Sequence, residues 1–386
     1  MDPAARHAAA IEVIDEIARG TRAATALRDW GRAHRFAGSG DRRAIGDVVH
    51  DVLRHWWSSA ALGGGEEGRA RVIGLMRMQG TPPGEVFTGI GHAPPPLTAT
   101  EAIAPDVPVP SDLPPLVEPM LRPLYGDRFE ALATAMRQRA PLDLRANLLA
   151  TDREGARAAL GVEGIEAAPC DLSPTALRLP PGDRRIAASR AYREGLVELQ
   201  DAASQAVTDF AKARPGERIL DYCTGAGGKA LALAGHARGP VSVHDIAPAR
   251  MRDLPARAAR AGAGLRPLRS ADLPRGAFDL VFADAPCSGS GSWRRDPEGK
   301  LHLDARTLDT LRGAQADVLD TAAALVAPGG RLVYATCSLL EVENEGAVNA
   351  FLARAPQWRQ VRAMRLDPLT GGDGFFASWL EPTAPL

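Results

Sequence analysis

Two cysteines are placed where covalent chemistry needs them. Cys287 lies in Asp284-Ala285-Pro286-Cys287-Ser288-Gly289, directly after the apolar run Phe278-Asp279-Leu280-Val281-Phe282-Ala283. Cys337 lies in Thr336-Cys337-Ser338, directly after Arg331-Leu332-Val333-Tyr334-Ala335. Both runs read as strands, and in a doubly wound α/β domain the carboxyl ends of parallel strands open onto one crevice that holds the chemistry. If the two strands are neighbours, both thiols face that crevice beside Asp284. A single free cysteine is most often a small buried hydrophobe. Two at strand ends, with an acid beside one and a glycine-rich turn upstream, favour a nucleophile with a partner.

One reaction that uses such a set is methylation at C5 of cytosine. C5 is a poor nucleophile until a thiolate adds to C6. An acid assists that addition at N3, and a base then takes the C5 proton so that the thiol can leave. Asp284, Cys287 and Cys337 supply these groups; spacing alone does not say which thiol attacks. A nucleophilic thiol needs a cationic or dipolar neighbourhood. Arg294 and Arg295, in Ser292-Trp293-Arg294-Arg295-Asp296-Pro297, suit that task or the binding of RNA phosphate, and equally suit a solvated loop.

The upstream turn indicates the cofactor. Asp221-Tyr222-Cys223-Thr224-Gly225-Ala226-Gly227-Gly228-Lys229 follows a strand-like Arg218-Ile219-Leu220-Asp221 and opens an alanine-rich helix. Glycines there let the backbone approach a ligand and bend sharply into the helix. That layout serves NAD, FAD and S-adenosylmethionine alike. Two features favour S-adenosylmethionine: the loop is not Gly-x-Gly-x-x-Gly, and Asp221 would repel a pyrophosphate but suit the ammonium of a methionine moiety. Asp245, ending the strand-like Val241-Ser242-Val243-His244, is placed for ribose hydroxyls, and Asp272 for the adenine amino group. Lys229 stands out in a chain whose only other lysines are Lys212 and Lys300.

The elements that must position these groups follow from the pattern. Regular β/α alternation over 194–386 predicts a Rossmann-like domain with a doubly wound, mainly parallel sheet covered on both faces. Residues 1–78 read as all-helical. Apolar residues recur at helical spacing through Ala8–Ile17 and through Ile45, Val48, Val49, Val52 and Leu53. Between them Gly38-Ser39-Gly40-Asp41 gives a break and an N-cap signal. The proline-dense stretch 79–115 predicts an extended linker. Residues 116–193 predict a small α+β segment, with a helix near Phe129–Arg139 and a strand over Leu142–Leu148.

Composition bounds the rest. At 386 residues and 45% hydrophobic content the chain can build two or three domains with real cores. The 46 basic and 47 acidic side chains leave a formal net charge of −1, so RNA contact must come from local basic clusters. The four cysteines lack metal-ligand spacing and suit a reducing compartment with no metal site. Ile11–Ile17 alternates with charges and reads as a helix rather than a signal peptide. No segment approaches the ~20 apolar residues of a membrane span. A cytoplasmic monomer away from membranes is expected.

Residues 195–386 resemble the Sun/Fmu (RsmB-like) family of S-adenosylmethionine-dependent RNA cytosine-5 methyltransferases. The resemblance is carried by Leu199-Gln200-Asp201-Ala202-Ala203-Ser204-Gln205, the Gly227-Gly228-Lys229 turn and Asp284 through Gly291. Arg294-Arg295-Asp296-Pro297, Thr336-Cys337-Ser338, Glu343-Asn344-Glu345 and Asp373-Gly374-Phe375-Phe376 extend it. It implies that Cys337 attacks, that Cys287 assists release and that Asp284 contacts the cytosine. It places the cofactor along Cys223, Thr224, Gly225, Ala226, Gly227, Gly228 and Lys229, with Asp245, Arg250, Asp272 and Asp284 beside it. Small-subunit ribosomal RNA is the implied substrate. Transfer RNA and a non-catalytic, RNA-binding assembly role are the alternatives, while the acid in the glycine loop disfavours an oxidoreductase. Leu142–Leu148, with Arg145 and Asn147, resembles the family's RNA-contacting segment, and Asp41–Arg54 resembles a shortened NusB-like domain. One departure stands in the turn. The family's Cys-Ala-Ala-Pro-Gly-Gly-Lys becomes Cys223-Thr224-Gly225-Ala226-Gly227-Gly228-Lys229, which loses a proline, gains a glycine and predicts a looser turn.

Overall fold

A computed structural model describes residues 1–183 and 185–383. The chain divides into two compact units, Met1–Arg139 with Trp293–His302, and Ala140–Ser292 with Leu303–Leu386.

The first unit is helical: α1 (Pro3–Ala18), α2 (Ala23–Ala33), α3 (Ser39–Arg54), α4 (Trp56–Gly63), α5 (Gly68–Met78), α6 (Glu118–Tyr125) and α7 (Phe129–Arg137). Asp2 starts α1 by accepting the Ala5 amide at 2.8 Å, as an N-cap carboxylate does. In α3, Asp41 reaches back to the Gly38 amide. The spaced apolar residues Val13, Ile14, Ile17, Ile45, Val49, Val52 and Leu53 meet Val72, Ile73 and Met76 of α5 in one core.

The proline-dense stretch is irregular, as its composition demands, but it is a strap rather than an extended linker. Arg69 donates to the carbonyls of Pro95 (3.1 Å) and Pro96 (3.0 Å) and pairs with Glu101. Phe87 is buried in the helical core. Buried Asp112 accepts the amides of Trp57 and Ser58 at 3.0 and 2.9 Å. The returning segment Trp293–His302 completes the unit. Glu298 accepts the Ala23 amide at the start of α2, and Lys300 Nζ donates to the carbonyls of Arg54 (2.7 Å) and Asp112 (3.0 Å).

The second unit begins with β1 (Asp143–Ala146), α8 (Arg153–Val162), β2 (Ala168–Pro169), β3 (Ala176–Arg178), α9 (Arg190–Arg193) and β4 (Val197–Leu199). Its four strands form an antiparallel sheet in the order β2-β3-β1-β4. Then follow α10 (Ala202–Phe210), β5 (Ile219–Asp221), α11 (Gly228–Ala237), β6 (Val241–Val243), α12 (Leu254–Ala261), β7 (Leu265–Pro267) and β8 (Phe278–Asp284). The unit ends with α13 (Ala305–Leu325), β9 (Val326–Thr336), α14 (Glu345–Arg354), β10 (Trp358–Leu366) and β11 (Phe375–Pro382). The larger sheet has the order β10-β11-β9-β8-β5-β6-β7. Strands β5 to β9 pair in parallel, while β11 and β10 are antiparallel additions at one edge. This is the expected Rossmann-like fold.

Residues of β8 alternate between two cores: Leu280 and Phe282 enter one, Val281 and Ala283 the other. Helices α10 and α11 cover the first face and α13 and α14 the second. A strand buried on both faces reads as a continuous apolar run, which is why β8 is so plain in the sequence. Truncating Phe282 to alanine would cost about 3–5 kcal/mol.

The compact units cross the sequence-based boundaries. Residues 116–139 fold with the helices, where Arg139 pairs with Asp47 and Asp51 at 3.1 Å each. Residues 140–193 fold with the large sheet. Asp143 holds Arg178 at 2.7 Å and accepts the Ala202 amide, while Arg178 also donates to the Gly371 carbonyl.

Candidate active site

The order of the large sheet reverses between β5 and β8, so the crevice opens at their carboxyl ends. Parallel register aligns Asp221 with Phe282, and Asp284 with Ala335. Asp221, Asp284 and Thr336 therefore finish their strands along one rim. The two strands that precede the cysteines are indeed neighbours. Cys287 Sγ lies 3.5 Å from Cys337 Sγ, and Lys229 Nζ lies 2.7 Å from Asp284 Oδ2. The Lys229 ammonium also sits 5.1 Å from the ring centre of Phe375. Nucleophile pair, acid and cation thus form one cluster, from the ends of β8 and β9 and the first turn of α11.

The two thiols are not electrically equivalent. With Cys287 as the donor, the hydrogen bond between the two sulfurs holds Cys337 below the usual thiol range; the Lys229 charge and the Ser292 hydroxyl add to this against burial and Asp284. The same hydrogen bond, with burial and the nearby Glu343 charge, holds Cys287 well above that range. A thiolate stabilised by a cation is the form that attacks. For Lys229, burial works to lower the pKa, yet the charge and hydrogen bond of Asp284, with Cys337 and Asp221, leave it raised.

Both strand-end loops are held closely. Gly291 donates to the Cys337 carbonyl and Gly374 to the Gly291 carbonyl, each at 2.9 Å. A Cβ on Gly291 would come 2.1 Å from the Gly374 oxygen, so the backbone of the Asp373-Gly374-Phe375-Phe376 motif lies directly on the Cys287 loop.

The glycine turn is closed, not loose. Thr224 Oγ1 donates to the Asp221 carbonyl at 2.8 Å, and the Gly227 amide to Thr224 O at 2.9 Å. The Gly225 amide donates to Asp245 Oδ2 at 2.8 Å. Gly225 and Gly227 have φ of +54° and +84°, and a Cβ on Gly227 would lie 2.0 Å from Leu254 Cδ1. The lost proline is replaced by left-handed glycine geometry. Asp245 also accepts the Ala247 amide at 2.9 Å and faces Arg250 at 3.3 Å, so it shapes the turn with the acceptor capacity it has left for a ligand. Cys223 is mostly buried, its thiol pushed up by burial and by Asp221, Asp284 and Asp245. The Gly228 carbonyl takes a bond from Arg145, and Ala226 is exposed. Asp272 is half-exposed and bound to Arg269 at 2.6 Å.

Asp221 is the unsatisfied group of the crevice. It is fully buried, no side chain donates to its carboxylate oxygens, and burial followed by the Asp284 charge pushes its carboxyl up to about 8, against Lys229 and the Ala230 amide. A buried acid without a side-chain donor suits an incoming cation.

Three expected RNA contacts lie elsewhere. Arg145 is buried in β1, donating to Gln200 Oε1 and, at 2.6 Å, to the Gly228 carbonyl, with burial lowering its pKa to about 10. Asn147 is buried and spans the carbonyls of Gly195 and Ala261 at 2.8 Å each. Arg294 is buried in the helical unit near the Arg139 carbonyl, whereas Arg295 is exposed. Arg145 and Asn147 thus brace the turn and α12 instead of presenting a phosphate-binding surface. Reasoning from sequence placed Lys229 only in the cofactor turn and gave Glu343 no task; the first is beside Asp284, and the second is fully buried behind both cysteine loops. Their signal was present, as the lone lysine of the turn and as an acid inside a recognised motif.

Among the described residues no group of side chains is arranged to hold a metal ion, and no helix is long and apolar enough to cross a membrane.

Residues 210–377 match the 16S rRNA methyltransferase RsmB/F family, and residues 117–182 match the ferredoxin-like domain of RsmF/B-like methyltransferases. The chain is 35% identical over 277 residues to ribosomal RNA small subunit methyltransferase B of Xylella fastidiosa, covering 66% of this chain and 65% of that protein. The protein of the same name from Salmonella arizonae is 33% identical over 273 residues, with coverage of 66% and 63%. The chain thus spans just under two thirds of these relatives. The crystal structure of PH0851 shares the fold over 99% of both chains, with a TM-score of 0.78 at 22% identity. NSun6 from Pyrococcus horikoshii does so over 70% of this chain and 99% of that one, with a TM-score of 0.62 at 16% identity. Residues 117–182 and 210–377 are thus similar to the two domains of RsmB/F-type methyltransferases.

Proposed function

We propose that this protein methylates C5 of cytosine in RNA, with small-subunit ribosomal RNA as substrate and S-adenosylmethionine as cofactor, through a covalent bond from Cys337 to cytosine C6. The observation that carries the reading is the thiol pair, 3.5 Å apart, beside the Lys229–Asp284 ion pair. A purely RNA-binding assembly factor has no use for a cation-stabilised thiolate. The relatives' name, ribosomal RNA small subunit methyltransferase B, supports the choice of RNA.

The crevice fits the cofactor. Asp221, a buried carboxyl with no side-chain donor, would receive the ammonium of a methionine moiety, and Asp245, Arg250 and Asp272 would meet its ribose and base. When bound, S-adenosylmethionine supplies an electrophilic methyl group.

The residues divide the remaining work. Cys337, already the acceptor of the Cys287 proton, adds its sulfur to C6. Asp284 meets the N3 edge of the base, held in place by Lys229 at 2.7 Å. Once the Cys337 sulfur is bonded to carbon it is a poorer hydrogen-bond acceptor, so Cys287 loses the contact that held its proton. Cys287 passes that proton to solvent, its thiolate takes the C5 proton, and the bond to Cys337 breaks by elimination, which returns Cys337 as a thiolate.

Trapping the adduct tests this division. Cys337→Ala should bind RNA and cofactor but transfer no methyl group, while Cys287→Ala should accumulate a covalent protein–RNA species on denaturing gels with labelled RNA. An adduct in Cys337→Ala would exchange the two roles, and full activity in both variants would end the covalent reading. Bisulfite sequencing of ribosomal and transfer RNA from a deletion strain identifies the target.

A further inference from the structure

The Glu343-Asn344-Glu345 motif has no part in the chemistry above, yet its first residue is among the most buried carboxylates of the molecule. Glu343 is fully enclosed and receives four donors. Oε1 accepts the Ser288 amide at 2.8 Å and Gln315 Nε2 at 3.0 Å. Oε2 accepts the hydroxyls of Ser288 and Ser338, each at 2.5 Å. Four donors match the capacity of an ionised carboxylate. Ser288 follows Cys287 and Ser338 follows Cys337, so one side chain grips the residue next to each thiol. Gln315, on α13, also donates to Pro286 O at 2.9 Å, just before Cys287.

The rest of the motif braces the same turn. Asn344 Oδ1 accepts the Thr336 hydroxyl at 2.5 Å and its Nδ2 donates to Ser338 O at 2.9 Å, so both neighbours of Cys337 are tied to one side chain. Glu345 holds Arg365, which donates to Leu339 O at 3.0 Å. Tyr334 closes the arrangement from β9 by donating to the Glu343 carbonyl at 2.7 Å. With the polar groups flanking Cys337 all engaged here, its sulfur turns to Cys287, Ser292 and Lys229 instead.

We propose that Glu343 is the positioning residue of the thiol pair, a buried carboxylate that ties the Cys287 loop to the Cys337 loop and fixes the separation of the two sulfurs. This rests on the proposed reaction only where turnover is measured. It has an electrical consequence as well. The charged and titratable groups facing Cys287 are Cys337, Glu343 and Tyr334; those facing Cys337 are Cys287, Asp284 and Lys229. The Glu343 charge discourages ionisation of Cys287, and it thereby keeps the shared proton on the sulfur that does not attack.

The test is alkylation of the full chain with iodoacetamide across a pH series, without RNA or cofactor, with each cysteine read by peptide mass spectrometry. In the wild type Cys337 should react at lower pH than Cys287. In Glu343→Gln, which keeps the shape and removes the charge, the Cys287 midpoint should fall and the Cys337 midpoint rise. The preference for Cys337 should drop about tenfold, the equivalent of one pKa unit. Ser338→Ala, which removes one of the four donors, should give a smaller shift in the same direction and serves where Glu343→Gln does not fold. Unmoved midpoints in a variant with wild-type circular dichroism and melting would overturn the proposal. With RNA and cofactor, kcat of Glu343→Gln should fall about tenfold to a hundredfold, as for misplaced reacting groups, at constant KM for RNA. A rise in KM alone would also overturn it. If the wild type methylates no RNA while the alkylation preference still follows Glu343, the proposed function fails and the positioning role stands.

Discussion

Two buried lysines, one in each compact unit, come to opposite electrical ends. Lys229 and Lys300 are both largely removed from water, and burial lowers the pKa of each. Lys229 has Asp284 at 2.7 Å, with Asp221 and Cys337 nearby, and finishes raised. Lys300 has two carbonyl oxygens and the face of Trp57 at 5.3 Å, and burial lowers it to about 7, with Arg54 and Arg137 adding to the effect. Enclosure alone does not set the charge of a side chain; the partner enclosed with it does. In the catalytic unit an ammonium is kept charged for use. In the helical unit a similar group serves as an internal donor that closes a strap and a returning segment onto α3.

The largest test of that contrast is Lys229→Met. Asp284 would lose its partner and Cys337 its nearby cation, and methyl transfer to RNA should fall by about a hundredfold or more, the scale of misplaced reacting groups, while circular dichroism stays that of the wild type. Activity within a few fold would show that the lysine is only structural, and the contrast would break.

A smaller effect is expected from pH on Lys300. Its pKa is about 7 in the fold and near 10.5 in the unfolded chain, so between these values the unfolded state binds the extra proton. Stability should therefore rise as pH climbs from about 7 towards 10.5, and the full penalty should stand below 7. Lys300→Met should flatten this part of a melting-temperature profile and leave methyl transfer near the wild-type rate. Lys229 has the opposite sign: its contribution is complete below 10.5 and is lost only as pH rises through its raised folded value. Equal slopes in wild type and Lys300→Met would show that Lys300 is charged in the fold.

The smallest effect sharpens the architectural side. Glu298 accepts the Ala23 amide at 3.1 Å, doing for α2 what its own N-cap residue, Arg22, does not. Glu298→Ala should cost about 1 kcal/mol, the usual scale of a lost cap, by denaturant unfolding, with no change in cysteine alkylation. A catalytic defect without a loss of stability would contradict this assignment.

Much of the catalytic sheet was legible because strands buried on both faces leave unbroken apolar runs, and because chemistry at strand ends puts Asp284, Cys287 and Cys337 just beyond them. What could not be read depended on enclosure by distant residues. Arg145 and Asn147 are polar residues in a strand-like stretch, and nothing local shows that Gly228, Gly195 and Ala261 will surround them. Arg294 sits in a basic motif, yet its neighbour in space is Arg139, 155 positions earlier. The prolines of 79–115 leave room for one 3-10 turn, Pro83–Glu85, but were silent about Arg69, which pins them down. Glu343 looked like one more acid in a polar motif because its donors come from three separate segments.

The span of 50 residues between Cys287 and Cys337 also bears on how the site comes into being. Pairings so far apart in the chain form late, since the loop between them must be closed before they repay the lost entropy. Until β8 and β9 are in register, Cys337 has neither the Cys287 proton nor the Lys229 charge beside it, and it is an ordinary thiol. The reactive sulfur is therefore absent from the partly assembled chain and emerges with the last long-range contacts. Pulse alkylation during refolding would see Cys337 become fast only at that stage, which makes this one side chain a chemical clock for completion of the domain.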